Sequence, residues 1–171
     1  GNRLRFVACG RLGNPGNGNP PEFTMLGVGD NSTLFRHDLL LTNGQNIVEP
    51  IADGVRVLRA LYGIDTNDDG MLDAWQSPDV GGWDGATLMN GSAVSKARLR
   101  QIVAIRVGLV LRSALVEQEM VAPTSLTLFG DLPAANQVTV YLNVAGENRH
   151  QRHRTVELTV PLRNILMLPP L

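Results

Sequence analysis

Two stretches of this chain change side-chain character at every second residue, and that rhythm constrains the fold more than anything else in it. Over residues 102–113, Val103, Ile105, Val107, Leu109 and Leu111 fall on one side, with Arg106 and Arg112 on the other. Over residues 155–163, Val156, Leu158, Val160 and Leu162 share one side, while Thr155, Glu157, Thr159 and Arg163 share the other. Successive side chains of a strand point to opposite faces, whereas a helix repeats about every 3.6 residues, so both stretches read as strands. The first is expected to lie centrally in a sheet with its odd-numbered residues facing the core.

The rest of the chain supplies shorter elements. Residues 23–28 and 32–41 read as a hairpin joined at Gly29-Asp30-Asn31, residue types that accept the positive φ of tight turns. Residues 138–144 form another strand candidate, followed by a polar loop over residues 146–154. Residues 47–64 fit two periods: Val55, Val57 and Leu61 suit a strand face, whereas Val55, Leu58 and Tyr62 suit a helix face. Residues 79–91 read as a loop, and residues 92–100 as a short helix capped by Ser92 or Ser95. The run of Gly, Asn and Pro over residues 10–21 excludes a helix or a central strand there. These elements predict an α+β fold, mainly antiparallel β, with one or two short helices and a single domain over residues 1–171.

Several function classes find no support. A formal net charge of −1 provides no global attraction to nucleic acid or an anionic membrane. Cys9 is the single cysteine, which excludes an intrachain disulfide and any multi-cysteine metal cluster. No apolar run reaches the roughly 20 residues of a membrane span. For catalysis there is no Gly-x-Ser-x-Gly elbow, and Gly27-Val28-Gly29-Asp30-Asn31-Ser32 lacks the third glycine and crossover helix of a dinucleotide site. His150 and His153 sit in the polar loop, where a helix would be needed to align them on a metal, and the neighbouring Arg149, Arg152 and Arg154 read as a solvated tip, with contact to phosphate or an acidic partner as the other reading. Trp75 and Trp83 are expected to fill gaps beneath a loop.

The most specific local pattern is Asp65-Thr66-Asn67-Asp68-Asp69-Gly70-Met71-Leu72-Asp73. Ca²⁺ takes six to eight oxygen ligands, and alternate oxygen side chains before a turn-forming glycine can wrap one ion. Asp65, Asn67, Asp69 and the Met71 carbonyl would bind it, with Asp73 direct or through water. The spacing matches the first nine positions of an EF-hand loop, but Gln76 stands where a bidentate Glu would close it, and the flanks are not two helices. The other reading is an acidic turn that needs no metal, and the residues alone leave both open.

Four blocks in order carry a family resemblance: Ile51-Ala52-Asp53-Gly54-Val55, Leu61-Tyr62-Gly63-Ile64-Asp65-Thr66-Asn67-Asp68-Asp69-Gly70, Val103-Ala104-Ile105-Arg106-Val107-Gly108-Leu109-Val110-Leu111-Arg112-Ser113, and Arg154-Thr155-Val156-Glu157-Leu158-Thr159-Val160-Pro161-Leu162-Arg163-Asn164. Together, over residues 51–164, they resemble the PilW family of type IV pilus assembly proteins, and more distantly the J-type minor pseudopilins of type II secretion. The resemblance implies a minor pilin: a periplasmic, β-rich head behind an N-terminal membrane helix, assembled with other minor pilins and a tip adhesin into the complex that primes and caps the filament. The prepilin cleavage motif and hydrophobic helix of that family are not among these 171 residues, so the membrane step rests on resemblance. The rival readings are a J-like pseudopilin and a calcium-stabilised adhesion or carbohydrate-binding module. The module would need an exposed aromatic platform, for which only Trp75, Trp83, Tyr62 and Tyr141 supply a Trp or Tyr.

Overall fold

A computed structural model describes residues 7–11, 22–38 and 48–162. The Gly- and Pro-rich run beyond Arg11, the expected end of a strand at residues 39–41, and Arg163 and Asn164 lie outside them. Ten strands are described: β1 Val7–Arg11, β2 Glu22–Val28, β3 Thr33–Asp38, β4 Val48–Asp53, β5 Val55–Ile64, β6 Ala74–Gln76, β7 Ile102–Val116, β8 Ser125–Leu128, β9 Val138–Tyr141 and β10 Gln151–Pro161. Two helices, α1 Gly85–Leu88 and α2 Ala93–Gln101, stand between β6 and β7. The fold is thus α+β and mainly antiparallel β. The strands form one sheet in the order β1-β2-β3-β4, a second in the order β10-β7-β5-β6, and a β8-β9 ribbon.

The described residues divide into two compact units. One draws on the chain up to Leu58 and on Leu109–Ala122 and Asn148–Arg154; the other draws on Arg59–Gly108, Pro123–Glu147 and the chain from Thr155.

In the first unit, β2 and β3 form the expected hairpin. The turn closes through Gly29 N to Thr33 O (2.9 Å) and Ser32 N to Gly29 O (3.1 Å), with Ser32 at φ 60°. The ambiguous stretch is two strands broken at Gly54. Its φ is +79°, and a Cβ there would stand 2.5 Å from the Arg112 carbonyl oxygen, so only glycine fits. The Arg112 N–H in turn donates to Gly54 O at 2.7 Å.

β5 explains its own ambiguity. Val55, Leu58, Leu61 and Ile64 are all buried, and a three-residue spacing in an extended chain places them alternately on the two faces. A strand covered on both sides loses its period of two. The helices follow their caps. Ser92 Oγ accepts from Ser95 N to start α2, while Asp84 accepts from Thr87 N and opens the one-turn α1 inside the stretch that reads as a loop. Trp83 is buried with Ile64, Leu88 and Ile102, and Tyr62 and Leu162 pack against this cluster.

β7 is internal to its sheet as expected, but the covered face is the other one. Ile102, Ala104, Gly108 and Val110 are buried, while Val103, Ile105, Val107, Leu109 and Leu111 are half-buried. The reason is steric. Gly108 has no side chain, and the Phe129 ring and Leu128 occupy the space a Cβ would take, with Phe129 Cζ 2.8 Å from that position. Leu128, Phe129 and Val110 have no exposed surface. At β10 the apolar residues stay outside as well: Val156 is 40% exposed, Leu158 62% and Val160 41%, while Glu157 and Thr159 on its other face are also exposed. β10 begins at Gln151, so the polar loop expected over residues 146–154 is shorter than its composition suggests.

Candidate functional site

The acidic loop between β5 and β6 is closed by its own side chains. Asp65 is buried, and its Oδ1 accepts from Asn67 N (3.1 Å) and Asp68 N (2.7 Å) while its Oδ2 accepts from Gly70 N (2.7 Å). Asn67 Oδ1 accepts from Asp69 N at 3.1 Å; Asp69 accepts from Met71 N and from Asn67 Nδ2. Asp73 Oδ2 takes both the Thr66 hydroxyl and the Thr66 N–H, and the hydroxyl bond above all holds its carboxyl below the usual carboxylate range. Asp68 at φ 65° and Gly70 at φ 81° make the turn. Asp65, Asn67, Asp69, Met71 and Asp73 all lie in this loop, and the three carboxylates are bonded to its own N–H and O–H groups. Among the described residues, however, no three carboxylate, imidazole or thiol groups are grouped as ligands of one ion.

The other candidates are engaged within the fold. His150 Nδ1 lies 3.1 Å from Glu117 O, and His153 Nδ1 lies 2.9 Å from Gln151 O. Arg149 donates through Nε (3.1 Å) and Nη2 (3.0 Å) to Ala122 O, and Arg152 pairs with Glu117. These side chains brace a chain reversal and are not arrayed toward a phosphate. Trp83 is buried with the Arg98 guanidinium 5.6 Å from its ring, and Trp75 is half-buried with that of Arg106 at 5.8 Å, so the tryptophans do plug gaps.

The residue that the alternation misplaced is Arg106: it falls on the side of β7 opposite the expected core face, and that side is the covered one. The Arg106 side chain is 15% exposed. It donates through Nη1 (2.9 Å) and Nη2 (2.7 Å) to the two Asp131 oxygens, and through Nη2 to Glu157 Oε2 (2.6 Å). Glu157 Oε1 accepts the N–H of Phe129, which holds a positive φ of 59°. The bonds to Asp131 raise the Arg106 pKa, and Arg106 in turn keeps the Asp131 carboxyl below its usual range. The signal available in the sequence was charge complementarity between two neighbouring antiparallel strands.

Among the described residues, Val156, Leu158 and Val160 of β10 are exposed apolar side chains, and Val103, Ile105 and Val107 of the neighbouring β7 are half-buried. A model of the type IV pilus-assembly protein W family, PilW, matches residues 22–164. The chain belongs to that family. No curated protein and no solved structure matches it significantly. Membership ties the chain to type IV pilus assembly, as a structural component of the cell envelope that contacts other pilus components. The four blocks of the sequence gain physical reasons in this light. Gly54 permits the junction of β4 and β5, Gly63 and Gly108 permit close packing, and Arg106 and Glu157 bind the last long strand to the central one. Among the described residues no helix is long and apolar enough to cross a membrane.

Proposed function

We propose that this PilW-family chain is the head of a minor pilin, which primes pilus assembly from the periplasmic side of the inner membrane and then caps the extracellular filament tip. The observation that carries this reading is the outward apolar face formed by Val156, Leu158 and Val160 on β10 beside Val103, Ile105 and Val107 on β7. A solvent-facing aliphatic stripe on an ordered sheet is costly unless another apolar surface covers it. The occupant is the amphipathic N-terminal helix that the family resemblance places ahead of the head. Its partners are the other minor pilins and a tip adhesin. The adhesion-module reading loses its platform, because of Trp75, Trp83, Tyr62 and Tyr141 only Tyr141 is exposed.

Within the head, the loop of Asp65, Asn67, Asp69, Met71 and Asp73 binds Ca²⁺ as a structural ion. The support is its hard-oxygen donor set, its alternate spacing and the lone pairs that its carboxylates keep beyond the N–H bonds they accept.

The assembly role is tested by pull-down of the co-encoded minor-pilin heads with this chain. Binding of at least one is expected at about micromolar affinity, because heads mixed in solution are not held together by a membrane that raises their effective concentration. Pull-downs that stay empty at high concentration overturn the reading.

A further inference from the structure

Beyond that role, we propose that two copies of this chain pair through the outer edge of β10, antiparallel, with Leu158 on the two-fold axis. Among the described residues β10 ends its sheet, with β7 as its one neighbouring strand. The two run antiparallel, since Leu162 N donates to Val103 O while Glu157, five residues earlier, reaches Arg106. Backbone groups along a strand alternate between its two edges. Because Leu162 turns its N–H to β7, the even-numbered residues face β7 and the outward groups belong to Thr155, Glu157, Thr159 and Pro161.

An edge of this kind is a template for another strand, and proteins that keep such edges single guard them with charge, proline or bulges. Over residues 155–161 the only charged residue is Glu157, and both its oxygens are turned inward to Arg106 and Phe129 N. The only proline, Pro161, stands at the end of the strand.

The register follows from the side chains. Placing Leu158 opposite its own copy sets Val156 against Val160 twice, which continues one aliphatic stripe across both molecules. It also sets Glu157 opposite Thr159, with the backbone groups of both turned to the partner. Shifting the pairing to put Glu157 on the axis would oppose two carboxylates and set Val160 against Arg154, which is disfavoured in a directly opposed pair. Pairing through the edge leaves the apolar face itself open to a helix.

The test uses the 171-residue chain in a Cys9→Ser background. Sedimentation is expected to show a reversible monomer–dimer equilibrium. Thr159→Pro removes one outward N–H without touching the β7 side, so it should raise the dissociation constant by at least about tenfold while the melting temperature of the monomer holds. Leu158→Cys should oxidise to a disulfide-linked dimer, because directly opposed residues of a non-hydrogen-bonded pair lie about 4.5 Å apart between Cα atoms, within disulfide reach. Val160→Cys alone should stay reduced, and Val156→Cys combined with Val160→Cys should cross-link. A chain that sediments as a monomer up to high micromolar concentration overturns the proposal. So does a dimer indifferent to Thr159→Pro, or one that cross-links through Val160→Cys and not through Leu158→Cys.

Discussion

Replacing Gly108 with alanine is expected to destabilise the protein by about 1–2 kcal/mol, and the sign of that change decides which face of β7 is covered. A Cβ at residue 108 would stand 2.8 Å from Phe129 Cζ, 3.0 Å from Cε1 and 3.3 Å from Leu128 Cδ1. Neither neighbour has exposed surface into which it can retreat. Forcing a methyl into a filled core costs about 1–3 kcal/mol. Against this, Gly→Ala at an unstrained position stabilises by about 0.4–1 kcal/mol through the entropy of the unfolded chain. The clash wins, and for a chain of this size the melting temperature should fall by about 2–8 °C. Were the odd-numbered residues the covered set, Gly108 would lie on the open side and alanine would raise the stability. Urea midpoints and calorimetry of the single variant read the sign. A double-mutant cycle with Phe129→Leu should show a coupling of at least about 0.5 kcal/mol, since the shorter side chain gives the new methyl room. A Gly108→Ala protein as stable as the parent would refute the packing of Phe129 on Gly108.

Three further outcomes follow from the same geometry. Val110→Asp should prevent folding, because an unpaired carboxylate at a position without exposed surface costs several kcal/mol; Val107→Asp, on the half-buried face, should leave a folded head by circular dichroism. Arg106→Met should cost about 2 kcal/mol, because Glu157 and the Phe129 turn lose their charged anchor. The same variant should flatten the acid limb of the stability curve. The Asp131 carboxyl is held down chiefly by its bonds to Arg106, so its contribution is present above the ordinary carboxylate pKa and is lost as pH falls below about 4 toward its lowered one, a loss that pH-dependent urea titrations read. Finally, thermal melts should rise in calcium relative to chelator; Asp65→Ala should abolish that rise and also lower the melt in chelator, because Asp65 holds three backbone N–H groups with or without an ion. Identical melts in both conditions would leave the loop as an acidic turn without metal.

How much of this could be read in advance depends on the range of the forces involved. Local chemistry was legible: the two long strands from their period, the β2–β3 hairpin from Gly29-Asp30-Asn31, and the start of α2 from Ser92. Each rests on contacts within a few residues. The one-turn α1 escaped notice because its cap, Asp84, sits in a stretch whose Gly and Asp content reads as a loop.

A period of two says that β7 has two faces, but not which of them a neighbour will cover. Hydrophobicity favoured Val103, Ile105 and Val107; shape chose Ala104, Gly108 and Val110, because Phe129 and Leu128 can approach only where the strand lacks bulk. That choice drew Arg106 inside, where it pairs with Glu157 and holds β10 to β7, and left Val156, Leu158 and Val160 exposed. Alternation is written along the chain, whereas the side that is buried depends on Leu128 and Phe129, distant in sequence, whose fit against the strand exists only once the sheet has formed.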